Sequence, residues 1–145
     1  MKLLMHEVLQ KVSNAKTKKE KIALLEKFNT PALRMLFIIN FDDSIVSLLP
    51  PGKVPYTPND APTGTDHTRL EQEYRGFYRF VKGGADKLPS LKRESLFVQL
   101  LEGLSAEEAE LLCLVKDGSL TSKYKRITKA VVSEAFPQIE WGNRS

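Results

Sequence analysis

Reactive side chains are scarce in this chain of 145 residues, which holds one cysteine, Cys113, and two histidines, His6 and His67. A lone cysteine excludes an internal disulfide. Its setting among Leu111, Leu112 and Leu114 reads as a buried, inert thiol, not a thiolate nucleophile. One histidine falls inside a helical pattern and the other in a proline-rich stretch far along the chain, so no nucleophile–base set can be assembled from them. The aspartates at Asp42-Asp43, Asp60 and Asp66 lack metal-ligand spacing, and Gly83-Gly84 is not followed by a phosphate-loop pattern. Long apolar runs are missing too. Nothing approaches the roughly 18 residues of a membrane span, and Lys2, His6, Glu7 and Lys11 interrupt any leader-like apolar region. The expectation is a soluble, cytoplasmic, non-enzymatic protein with no metal, cofactor, membrane or small-molecule partner.

Helical periodicity fills most of the rest. Leu3, Leu4, Val8, Leu9 and Val12 mark a short amphipathic helix over 2–12. Thr17-Lys-Lys-Glu20 has the form of a capping box, and the helix behind it sets Ile22, Leu25 and Phe28 against an outward face of lysines. Thr30-Pro31 is a second start signal, leading into the nearly all-apolar residues 31–41, a candidate core helix. Pro50, Pro51, Pro55, Pro58 and Pro62 then exclude helix, although one or two further turns over 42–49 remain open. Residues 42–67 form one long loop, within which Lys53-Val-Pro-Tyr56 could lie extended against the body.

Helical spacing returns from Thr68 with Leu70, Tyr74, Phe77 and Val81, and stops at Gly83-Gly84. Leu88-Pro89-Ser90 opens the next helix, with Leu91, Phe97, Leu100 and Leu101 as core candidates. Ser105-Ala-Glu-Glu108 is a second capping-box pattern, and Gly118 ends the helix behind it. A final long helix is expected over Thr121–Ala135, with Trp141 of the tail 137–145 folding back. The reading is one all-α domain spanning 1–145, a compact bundle of six to seven helices with one long proline-rich loop.

Charge is unevenly spread. Residues 11–27 carry six lysines against two glutamates, and residues 116–129 carry five Lys/Arg against one Asp, so each segment is +4 in a chain of net +4. The rest of the chain is therefore net −4. Such segments are either solvated helix faces or a polyanion-facing surface. The second contains a glycine turn and a hydroxyl-rich helix start, where free backbone N–H groups favour anions. Its Lys116-Asp117-Gly118 is not a covalent nucleotidyltransferase motif, because Val115 stands where the nucleophilic lysine would have to be.

Two stretches carry a family resemblance. Val8 to Lys27 combines a short helix, a polar turn with Thr17-Lys18, and a Leu24-Leu25-Glu26-Lys27 helix. Gly118-Ser119-Leu120-Thr121-Ser122 and the ending Ala135-Phe136-Pro137 supply a glycine turn, small residues and a helix stopped by proline. With these, the chain resembles the N-terminal DNA-binding domain of phage-type ATP-dependent DNA ligases, without the catalytic domains. That resemblance implies an all-helical phage module gripping double-stranded DNA by its phosphates on the minor-groove side, largely without reading sequence. It places contacts at Asn14, Lys16, Thr17 and Lys18, and at Gly118, Ser119, Thr121 and Lys123. The basic segments add Lys19, Lys125, Arg126 and Lys129. An alternative is an adaptor for a phage or host protein, supported by loop 50–67, Trp141 and the acidic residues Glu102, Glu107, Glu108 and Glu110.

Overall fold

Local capping chemistry starts four of the helices. In the computed structural model, which describes residues 3–59 and 68–142, the hydroxyls of Thr17, Thr30, Ser105 and Thr128 each accept from the amide three residues on, at 3.1–3.4 Å. The described elements are α1 (Met5–Asn14), α2 (Lys18–Lys27), α3 (Pro31–Phe41), α4 (Leu70–Glu73), a 3₁₀ helix (Tyr74–Phe80), α5 (Ser90–Gly103), α6 (Ala106–Lys116), α7 (Leu120–Lys123) and α8 (Lys129–Ala135). Among the described residues there is no named strand, only isolated bridges at Ser47–Val81 and Thr68–Leu104. The chain is all-α. No helix among them is long and apolar enough to cross a membrane.

The apolar helix α3 is the hub, as its composition predicts. Leu33, Leu36 and Phe37 are fully buried, and α3 packs against α6, α4, the 3₁₀ helix and α8. The Phe37 ring meets Phe136, at the end of α8, at 6.1 Å between centroids. On the far side α5 packs on α6, and Phe97 sits edge-on to Phe80 at 5.2 Å. Val54 and Tyr56 lie against the core, so loop residues 53–56 do rest on the body.

Several expectations are corrected. The helix expected over Thr121–Ala135 is two helices, which raises the count among the described residues to eight α-helices and one 3₁₀ helix instead of six to seven. Arg126 adopts a left-handed φ of 67°, Thr121 Oγ1 donates to Ile127 O at 2.8 Å, and Thr128 caps a new start. The helix expected from Thr68 changes at Tyr74 from α to 3₁₀, with the Arg79 guanidinium folded back to donate to Gly76 O at 3.0 Å.

Leu91 is 82% exposed, because α5 buries Arg93, Phe97 and Leu101, an i, i+4, i+8 stripe that turns the first-turn leucine outward. The buried Arg93 guanidinium donates to Arg79 O at 2.8 Å and Ala85 O at 2.9 Å, tying α5 to the Gly83-Gly84 turn. Lys21, expected outward, is buried and donates its ammonium to Ala15 O.

After Phe41 no further helical turn forms. Asp42 is buried and accepts from the amide and hydroxyl of Ser44 at 2.9 and 2.7 Å, and from Gly142 N at 2.9 Å. That carboxylate holds the tail against the end of α3. Trp141 folds back as expected, donating to Ser133 Oγ at 3.0 Å. The loop is non-helical over 42–59; Asp60, Asp66, Pro62 and His67 lie outside the described residues.

Gly118 closes α6 with a φ of 67°, donating to Val115 O at 3.1 Å. A Cβ there would also lie 3.5 Å from Asn40 O, an ordinary contact, so the penalty of a side chain is conformational. Gly118→Ala should lower stability by about 1 kcal/mol in chemical denaturation.

Candidate nucleic-acid interface

The first basic turn is a tight link between α1 and α2. Lys16 N donates to Glu20 Oε2 at 3.2 Å, so the carboxylate of the capping box reaches the residue before the cap instead of Thr17 itself. The buried Lys21 ammonium braces the turn from below. Asn14, Lys16, Thr17, Lys18 and Lys19 are left exposed.

The second basic turn joins α7 to α8. Its inward residues Tyr124 and Ile127 are buried, which turns Lys123, Lys125, Arg126 and Lys129 outward. The left-handed Arg126 directs the chain from one helix into the next.

These turns are neighbours. Ser13 Oγ donates to Lys125 O at 2.9 Å, stitching the end of α1 to the α7–α8 turn. Helices α2 and α8 pack together, and Lys18 reaches Glu134 of α8 at 2.6 Å. Asn14, Lys11 and Lys123 line one cleft of about 380 Å³ with His6, Gln10 and the carboxylates Glu7 and Glu107. Burial lowers the pKa of His6, opposed by the charges of Glu107 and Glu7.

The charge there is available at small cost. Lys18–Glu134 and Lys123–Glu110 are exposed pairs, a class worth about 0–1 kcal/mol and readily traded for another anion. Lys129 lies over the Trp141 ring at 5.1 Å. Lys16, Lys19, Lys125 and Arg126 are exposed and form no ion pair with a described carboxylate.

The Lys116–Thr121 end of the stretch is used differently. The Lys116 side chain is 2% exposed and donates to Pro50 O at 2.8 Å, Gly52 O at 3.2 Å and Asp117 Oδ1 at 2.6 Å. Asp117 in turn accepts from Gly52 N at 3.2 Å. Lys-Asp-Gly is therefore a clip on the proline-rich loop. The expected anion-seeking helix start is spent, because Asn40 Oδ1 accepts from Leu120 N at 3.0 Å and α7 is only four residues long. Ser119 and Thr121 direct their hydroxyls to Asp117 O and Ile127 O inside the turn. Gly118, Ser119 and Thr121 thus shape the chain on either side of α7, and the exposed cations lie further on, from Lys123 to Lys129.

The acidic cluster proposed as an adaptor surface is likewise dispersed. Glu108 is buried, Glu102 accepts from Thr57 N at 2.9 Å, and Glu110 pairs with Lys123. Cys113, expected to be buried, is half-buried, and that burial pushes its thiol up to about 11. Among the described residues no three His, Cys, Asp or Glu side chains group so as to hold a metal ion.

One protein-family model matches residues 8–122. The chain belongs to DUF6433, a family of unknown function. The DUF6433 match runs from within α1 to within α7, so it takes in the first basic turn and the clip but ends before Lys123. No curated protein and no solved structure matches the chain.

Sequence reasoning missed Ser13, Lys21 and Glu134 as parts of this region. Ser13 lies in the last turn of α1, one residue beyond the helix expected over 2–12, and nothing local points to Lys125 as its partner.

Proposed function

We propose that this protein binds double-stranded DNA without catalysis and largely without regard to sequence, through phosphates on the minor-groove side. The observation that carries the reading is the Ser13–Lys125 hydrogen bond, which sets two separate basic turns edge to edge. Lysine- and arginine-rich side chains on exposed turns suit backbone phosphates, whereas base reading needs side chains set into a groove. A fold like that of the ligase DNA-binding domain, a phage origin and a place in the host cytoplasm belong to the same proposal.

If about five phosphates are neutralised, log affinity should fall against log salt with a slope of about −4 to −5. Fluorescence anisotropy with a labelled duplex over a salt series measures this. A flat response, or no binding at low salt, would sink the reading.

A second reading, an adaptor for a phage or host protein, is favoured by one observation. The exposed Leu91 borders an apolar groove of about 310 Å³ between loop residues 49–55 and α5. A partner recovered on the protein that survives nuclease treatment would favour it; one that vanishes would indicate tethering through DNA.

A further inference from the structure

A third basic segment lies outside both turns. Residues 75–87 carry Arg75, Arg79, Lys82 and Lys87 against Asp86, whose carboxylate is committed to Gly83 N at 2.6 Å. This segment is interleaved with aromatics, which the two turns are not: Tyr124, the aromatic of the second turn, is buried.

Tyr78 is 54% exposed, although it belongs to a 3₁₀ helix whose Phe77 and Phe80 are buried. It stands at the rim of an open pocket of about 450 Å³, with Tyr74, Arg75 and Lys82 also on the rim. Ile38, Ile39 and Ile45 line the same pocket, and among the described residues no carboxylate does. Cavities of this size hold small ring systems.

The rim is pre-shaped. The Arg75 guanidinium lies 5.8 Å from the Tyr74 ring centroid, with its Nε 3.4 Å from the phenol oxygen. Lys82 N donates to Val46 O at 2.8 Å, fixing the backbone on one side. On the other, the Gly83-Gly84 turn closes so tightly that a Cβ on Gly84 would fall 2.0 Å from Tyr78 O. Tyr78 is thus an exposed ring on a held backbone, beside two exposed cations that form no ion pair with a described carboxylate.

We infer that this pocket binds a single-stranded nucleic acid, with one base against Tyr78 and the apolar wall and its neighbouring phosphates on Arg75 and Lys82. Each element answers a need of that ligand. A base has a flat apolar face for the ring and the isoleucines, and the strand supplies the negative charge that the rim lacks. An acidic peptide would offer the charge without the flat face. The site uses none of the residues of the two-turn interface, so the inference does not rest on duplex binding.

The test is anisotropy with fluorescein-labelled dT12 and rU12 at about 50 mM salt, with a labelled duplex titrated in parallel. Wild-type protein should bind at least one single strand. Tyr78→Ala should weaken that binding about tenfold or more, as loss of one stacked base does, while Tyr78→Phe stays within about twofold because the ring remains. Duplex affinity should not change in either variant. The two strands show whether the site accepts DNA, RNA or both. No binding of either strand, or an unchanged affinity in Tyr78→Ala, overturns the inference, whatever the duplex does. So does binding of a labelled aspartate-rich peptide of equal charge that Tyr78→Ala weakens as much as it weakens the strand, which would assign the pocket to a protein. Loss of duplex binding alone would count against the two-turn interface and leave this site standing.

Discussion

Replacing Glu108 with alanine should lower the unfolding free energy by about 3 kcal/mol, since each of its bonds is an amide donating to a carboxylate in the interior. The side chain is 1% exposed. One carboxylate oxygen accepts from Met5 N at 3.1 Å and the other from Leu70 N at 3.2 Å. Those amides begin α1 and α4, where backbone N–H groups have no partner within their own helix. Glu108 itself sits in the first turn of α6 and so joins three helix starts at one point. Alanine would leave two buried donors unmet and a cavity between them. For a chain of this size the melting temperature should fall by about 10 °C. Glu108→Gln keeps one acceptor and turns its amide N–H group against the other donor, so it should cost about half as much.

The same carboxylate predicts a pH dependence. Burial raises its pKa above 4.5, outweighing the lowering effect of the two amides and of Arg69. The folded state therefore holds this proton more tightly than the unfolded chain does. This proton-linked part of the stability, separate from the two amide contacts, is fully present below pH 4.5 and is lost as pH rises through the raised value. Glu108→Gln should flatten that part of the stability profile in denaturant titrations at several pH values. An unchanged profile would show that Glu108 is solvated.

How far such features can be read from sequence depends on the reach of the interaction. The starts at Thr17, Thr30 and Ser105 are legible because a cap and its amide lie three residues apart. The break inside Thr121–Ala135 is not, because it rests on an arginine in the left-handed region, a conformation no arginine advertises. Glu108 matches a capping box, yet its carboxylate bonds to residues 103 and 38 positions away. Charge counting located both basic turns but treated every lysine as solvated. Lys21 and Lys116 are buried donors to backbone carbonyls, which no count of charges distinguishes. Adjacency of the turns depends on a bond between residues 112 apart. Only the fold supplies that.

That adjacency gives the other large effect. Lys125→Glu with Arg126→Glu should weaken duplex binding about 100-fold at 0.1 M salt and flatten the salt slope by about 2, alike for all sequences. Both side chains are exposed and form no ion pair with a described carboxylate, so their reversal should leave folding nearly unchanged. Lys19→Glu on the other turn should flatten the slope by about 1 on its own. Adding it to the pair should bring the total to about 3, because both turns then contact one duplex. Lys116→Ala is the contrast. Its ammonium is enclosed by Pro50, Gly52 and Asp117, so the substitution should cost stability and leave the salt slope unaltered. Isothermal titration or anisotropy at four salt concentrations separates these cases. A slope that responds to Lys125 and Arg126 but not to Lys19 would mean that one turn binds alone, and the paired interface would then be wrong. An effect confined to one DNA sequence would replace phosphate contact with direct base reading.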